Sequence, residues 1–385
     1  MKVRIFIVLA VIAGLVIVNG SFFKADAKTE WLKQAQLGQF APAKQDWNAI
    51  EAAARKEGKV VIYSVSSRIF KLQKEFKEKY GVEIVGYDMT SDEQVEKFGR
   101  EHKAGVHNVD VLYNNATSTL WGELLPKKMI WNFVPDFTAP LLDDNEKNPF
   151  LVQRWSCRVF IYNTARNPGG PPVDNLWDFT REEWKGKVLT PELTDPATAN
   201  TYQTILQHPD DMAAAYKKEF GKSIKLSSGM KNAAEEWMFR FMQNAVIVPS
   251  TTKIFKGVSD VKQDRPPIGL TTFSKLRDVK KGVYETAALV DMEPIFGVSY
   301  PTVLVIADQA PHPHAAKLLV QYMMGDGLWP WNVIGDYAAR KDLEVEQVKK
   351  FKIPPYTKAK LWAADPEHIF KTQYDYLQFT MSIAK

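Results

Sequence analysis

The chain has 385 residues, 45% of them hydrophobic and 25% charged, with 50 Lys plus Arg against 45 Asp plus Glu and a formal charge of +5. These proportions are ordinary for a globular protein, and the basic residues form no block with interleaved aromatics, which excludes nucleic-acid binding. Cys157 is the single cysteine; no disulfide can form within the chain, and the residue reads as a small buried apolar group.

In chain order the first signal is a leader. Lys2 and Arg4 precede an apolar run, Ile5–Val18, and Ala25-Asp26-Ala27 follows with the small-x-small pattern of a cleavage site. That pattern is a secretory signal peptide over 1–27, with the mature chain starting at Lys28. The run is short for a membrane span, which needs about 20 residues; an uncleaved anchor is the alternative. With the leader gone the chain carries about +3 over about 358 residues, enough for two domains with their own cores.

Trp47–Lys56 has apolar residues at helical spacing and stops at Gly58, and Lys59–Val65 reads as a strand apolar on both faces. Ser66 and Ser67 cap a helix over Arg68–Tyr80, ended by Gly81. Strand Val82–Tyr87, helix Asp92–Ala104, strand Val109–Tyr113 and a helix from Thr117 continue the alternation. Strand and helix in turn argue for an open parallel sheet, with ligands outside the carboxyl ends of its strands. Residues 131–149 read as a surface connection. Arg154–Asn163 alternates as a strand, and Asn167–Pro172 breaks the chain.

A second α/β block follows. A helix is expected near Leu176–Trp184, a strand at Lys187–Thr190, and helices near Ala199–Gln207, Asp210–Phe220 and Met230–Gln243. Short strands are expected at Ala245–Val248, Ile268–Thr271 and Thr286–Met292, and Ile295–Ile306 is a long extended stretch. Pro311 and Pro313 open a helix over Ala315–Met324, with His312 and His314 as solvent-facing cap residues. The remainder to Lys385 reads as helical and aromatic, with Trp329 and Trp331 packing between elements. Two blocks joined by two extended stretches suggest two lobes around a cleft, crossed twice by the chain.

The opening Trp47-Asn48-Ala49-Ile50 through Tyr63-Ser64 of an exported chain resembles the periplasmic solute-binding proteins of ABC importers, in the ferric-ion, phosphonate and sugar-phosphate group. Ile161-Tyr162-Asn163-Thr164, Asn175–Phe179 with Trp184–Val188, Val298-Ser299-Tyr300-Pro301, and Pro311–Leu319 resemble later parts of that pattern in the same order. The resemblance runs over roughly 44–335. It implies a type II periplasmic-binding-protein fold, α/β, with two lobes joined by a two-crossover hinge. The corresponding divisions are a first part of lobe one at 28–157, lobe two at 158–297, a return to lobe one at 298–345, and a helical tail at 346–385. It also implies a monomer that traps a small solute by lobe closure in the periplasm and hands it to a permease in the inner membrane, with no cofactor.

The family's ferric members hold metal through adjacent tyrosines after the strand that corresponds to Ile268–Leu270. Here that loop reads Thr271-Thr272-Phe273-Ser274-Lys275, without a tyrosine and with a cation, so no metal site is expected. An anionic or polar solute fits the residues better. Ser66, Ser67 and Arg68 combine hydroxyls, a helix start and a guanidinium, although an ordinary cap with a solvated arginine would look the same. Thr198, Asn200 and Thr201 open a lobe-two helix at the position where family members contact an anion. Asn114, Asn115 and Thr117 end a lobe-one strand, Ser250 and Thr251 follow a lobe-two strand, and Thr271, Thr272, Lys275 and Tyr300 complete the candidate set. No Gly-x-Ser-x-Gly elbow, His-Glu-x-x-His or Walker loop occurs, which argues against an exported hydrolase. A receptor that hands its closed form to a membrane sensor is the other alternative.

Overall fold

Gly58, at φ 74°, turns the chain out of α2 (Trp47–Glu57) and into β1 (Lys59–Ser64), and Asp46 opens that helix by accepting from the Ala49 N–H. The left-handed conformation is one that glycine adopts without a Cβ penalty. The computed structural model describes residues 27–383, beginning with α1 (27–35); the leader, apart from Ala27, lies outside the described residues. No helix among the described residues is long and apolar enough to cross a membrane.

After β1 a 3-10 turn (Ser67–Leu72) leads into α3 (Gln73–Tyr80), then β2 (Glu83–Asp88), α4 (Ser91–Lys103) and β3 (Val111–Asn114). The expected helix from Arg68 is therefore α-helical only from Gln73. A short α5 (Thr117–Thr119) continues as a π-helical turn over Leu120–Leu124. Next come β4 (Ile130–Trp131), α6 (Asp144–Lys147) and β5 (Leu151–Asn163), all of whose 13 residues are buried. The connection at 131–149 is less superficial than its composition suggests, since Phe133, Thr138, Leu142 and Glu146 are buried in it.

The second block runs β6 (Val188–Thr190), α7 (Pro196–Leu206), α8 (Pro209–Phe220), α9 (Ala233–Asn244), β7 (Ala245–Ile247), α10 (Thr251–Ser259), β8 (Ile268–Thr272) and β9 (Thr286–Ala288). The expected helix at 176–184 consists of two 3-10 turns. The return follows as β10 (Gly297–Ala307), α11 (Pro313–Met323), β11 (Asp336–Ala338), α12 (Lys341–Phe351), β12 (Leu361–Ala363) and α13 (Pro366–Ile383). The tail is thus not purely helical. Of the two tryptophans that flank Pro330, Trp331 is buried with its ring edge-on to Tyr113, whereas Trp329 is half exposed and donates to Glu75.

One mixed sheet connects everything, in the order β2-β1-β3-β10-β5-β8-β6-β7. The expected parallel pairing holds within each end: β1 with β2 and β3, and β6 with β7 and β8. The two long strands β5 and β10 run antiparallel to each other, β10 pairing β3 in lobe one and β5 pairing β8 in lobe two. They are the two crossovers. Their pairing shifts register between Thr302 and Val303, next to Pro301, which has no N–H to give to a ladder. Each lobe has its own aromatic core: Trp237 stacks on Phe241 at 4.9 Å in lobe two, and Phe76 lies 5.2 Å from Tyr322 in lobe one.

Candidate functional site

The carboxyl ends of β1, β2 and β3 face those of β6 and β8 across the crossovers, and two adjoining cavities of about 590 and 320 Å³ occupy the seam. Both are lined by Val65, Asp88, Asn115, Thr272 and Tyr300, so they form one cleft.

Its floor is the polar face of β5. Side chains alternate along a strand, so Arg154, Ser156 and Arg158 project to one side while Trp155, Cys157 and Val159 project to the other. Arg158 donates from Nη1 to Thr272 Oγ1 at 2.6 Å and from Nη2 to Asp195 Oδ1 at 2.7 Å. Arg154 donates to Thr302 Oγ1 at 2.8 Å, and its Nε lies 3.7 Å from Asp336. Both guanidinium groups are buried, and the Nε of each lacks a hydrogen-bond partner. A buried donor left unpaired costs about 1–3 kcal/mol, and neither Nε is exposed to the cleft. The sequence reading follows this strand through its apolar members; the Arg-x-Ser-x-Arg face is the signal it leaves unused.

From lobe one, Ser66 caps the turn, its Oγ accepting from the Arg68 N–H, and Ser67 lies beside it on the wall. Arg68 reaches Asp336 Oδ2 at 3.0 Å, so it is held rather than solvated. Asp336 is buried and also accepts from Ser156, which ties β11 to the floor. From lobe two come Lys275 and Arg277. The Lys275 ammonium donates to Thr252 Oγ1 at 2.8 Å, and burial, then the neighbouring Arg277, pulls its pKa down. Five cations thus converge here, with Asp336, Asp195 and Asp278 as their direct carboxylate partners. Asp88, Asp92 and Glu192 line the wider cavity.

Of the candidates read from sequence, Ser66, Ser67, Arg68, Asn115, Ser250, Thr251, Thr272, Lys275 and Tyr300 line the cleft. The others lie behind its wall. Asn114 is buried and bonded to Ser91, Gln94 and the Ala116 N–H. Thr117 and Asn200 are buried. Thr198 and Thr201 turn their hydroxyls back to Asp195 and the Ala197 carbonyl, and Thr271 gives its hydroxyl to the Thr251 carbonyl. A period of 3.6 or 2 decides which residues of a helix start or strand end face the seam, and a run of polar residues alone does not reveal it. The two histidines at the start of α11 also differ from their reading as solvent-facing caps. His312 bonds Asp110, and His314 bonds Glu57, each at 2.9 Å.

Among the described residues the carboxylate group with metal-ligand spacing is Asp174, Asp178 and Glu219, none of which lines the cleft, and Arg181 bonds two of its members. Tyr300 is the tyrosine of the cleft lining, and burial raises its pKa.

Neither a protein-family model nor a curated sequence matches the chain. Solved structures do. Iron-bound HitA from Pseudomonas aeruginosa superposes with a TM-score of 0.65 at 14% identity, over 85% of this chain and 99% of that one. The chain has the periplasmic-binding-protein type II fold. The apo ferric ion-binding protein A of Pasteurella haemolytica gives 0.63 at 14% identity over 85% and 98%. A Trichodesmium protein (IdiA, FutA) in complex with iron and citrate gives 0.58 at 16% over 85% and 99%.

Proposed function

We propose that the chain is the solute-binding receptor of an ABC importer, capturing a small anionic solute between its lobes and delivering it unchanged to a membrane permease. The convergence of Arg68, Arg154, Arg158, Lys275 and Arg277 on one cleft of this fold carries the reading. Ligand oxygens would accept from the Ser66–Arg68 turn above the cationic floor, while Lys275 and Thr272 close from lobe two. The lobes divide in this reading at 28–157 and 298–345 for lobe one and 158–297 for lobe two, with 346–385 packed across them. Work in the periplasm as a monomer, after removal of 1–27, completes the proposal.

Iron, the ion named for HitA, fits these residues poorly. A ferric ion needs several anionic oxygens; here Asp336 and Asp195 are already paired with Arg68, Arg154 and Arg158, the tyrosine of the lining is buried, and Asp88, Asp92 and Glu192 are the remaining carboxylates of the cleft.

Native mass spectrometry of protein purified from its own host, followed by calorimetry with the released compound, tests the reading. The expected result is a retained anion of low mass that rebinds one to one. A protein that carries no solute, and whose melting temperature no phosphorylated or carboxylated compound raises, overturns it.

A further inference from the structure

We propose that the C-terminal helix α13 is a brace between the lobes, and that the cleft opens only when one of its two seats is given up. The first seat is on lobe one. Phe370 lies so close over Gly122 that a Cβ at 122 would overlap its ring, Trp121 stands 6.0 Å from the same ring, and Lys371 lies over Trp121. The second seat is on lobe two, where Thr372 Oγ1 donates to Gln203 Oε1 at 3.1 Å and the Tyr376 hydroxyl donates to the Leu193 carbonyl at 2.9 Å. The same helix therefore packs against α5 and the following π-turn on one side and against α7 on the other.

Placement gives these contacts their consequence. Both α5 and α7 start at the cleft, α5 two residues after Asn115 and α7 at Pro196, and Asn115 and Pro196 both line it. A hinge motion that parts the walls moves Gly122 away from Leu193. Five residues separate Phe370 from Tyr376, less than two turns of a stiff rod, so α13 cannot stretch to follow both. The segment before it is anchored as well: β12 pairs with β10 at Gly297–Ser299, and Trp362 stacks on His208 of lobe two with ring centroids 3.9 Å apart. Detachment therefore falls on α13. The helix face that carries Phe370 continues in Tyr374, Leu377 and Met381, which are exposed beyond the seat.

Double electron–electron resonance between spin labels at Lys74→Cys on lobe one and Lys185→Cys on lobe two measures the lobe separation in the full chain, with no ligand added; the native Cys157 is buried and does not label. Gly122→Ala pushes Phe370 off its seat from the lobe-one side, and Tyr376→Phe removes only the bond to Leu193. The proposal expects a longer and broader distance distribution for Gly122→Ala, a smaller shift in the same direction for Tyr376→Phe, and no change for Met381→Ala. Distributions for Gly122→Ala and Tyr376→Phe that superimpose on the parent overturn it. Should Gly122→Ala fail to fold, Phe370→Ala replaces it under the same criterion. The measurement needs no solute, so its outcome is independent of whether the receptor reading stands.

Discussion

Arg158 and Asp195 meet at 2.7 Å where the crossover strand touches the start of α7. Removing the guanidinium leaves a carboxylate without its partner and takes a cation from the cleft floor. Arg158→Met is expected to weaken an anionic solute by about 1.5–3 kcal/mol, the worth of a charged hydrogen bond, and calorimetry on the parent and variant measures it. Arg68→Ala belongs to the same range. Burial raises the Asp195 pKa, but the charge of Arg158 and the bonds from Thr198 outweigh it, and the carboxyl sits below its usual value. A carboxyl depressed on folding stabilises the fold above its unfolded pKa near 4, and the gain is lost as pH falls through the folded value. Urea midpoints should therefore drop below about pH 4, and drop less steeply in Asp195→Asn. Lys317 has the opposite character. Burial pulls its pKa down to about 8, although its ammonium donates to the Gln36 carbonyl and lies 5.3 Å from the Phe133 ring. The unfolded chain holds that proton up to about pH 10.4, so stability rises as pH climbs from 8 toward 10. Lys317→Met is expected to gain about 1–2 kcal/mol at neutral pH, with the gain gone near pH 10 in the same urea titrations.

At the scale of elements, α11 shows how a helix start is held by its neighbours. Asp110, just before β3, accepts from the backbone and ring of His312 and from the Val61 N–H, while Glu57 at the end of α2 accepts from the His314 and Ala315 N–H groups. Carboxylates at a helix N-terminus are favourable both as acceptors and against the dipole. The bond to Asp110 raises the His312 pKa. A histidine raised on folding stabilises fully below its unfolded value near 6.5 and loses that contribution as pH rises through the folded one. The stability difference between parent and His312→Gln should be largest near pH 6 and shrink above pH 8, as read by thermal melts. Periodicity located most helices within a few residues, because the apolar stripe and its glycine or cap are local. It missed α10, where Ser250 and Thr251 are read only as polar residues after a strand although Ser250 caps a helix that buries Ile254, Phe255 and Val258.

At the scale of the molecule, the two crossovers and α13 decide how the lobes move. A solute that bridges the lobes can shift an open–closed equilibrium only by its preference for the closed form. Under the receptor reading, the compound retained from the host should raise the melting temperature in proportion to the logarithm of its concentration and contract the scattering profile. Loosening the brace at Gly122 should weaken the same compound, because the competent arrangement becomes less populated.

The sequence by itself determined the local units: strands buried on both faces, capped helices, two α/β blocks with two extended connections, and the absence of tyrosines from the 271–275 loop. Such features depend on periodicity and turn chemistry within a dozen residues. Tertiary structure decided which polar residues meet. Arg154 and Arg158 lie on the crossover strand, Asp336 comes from the tail, and Phe370 finds Gly122 across a span of 248 residues. Contacts of that range are set by how the sheet stacks its strands, and no local pattern encodes the stacking.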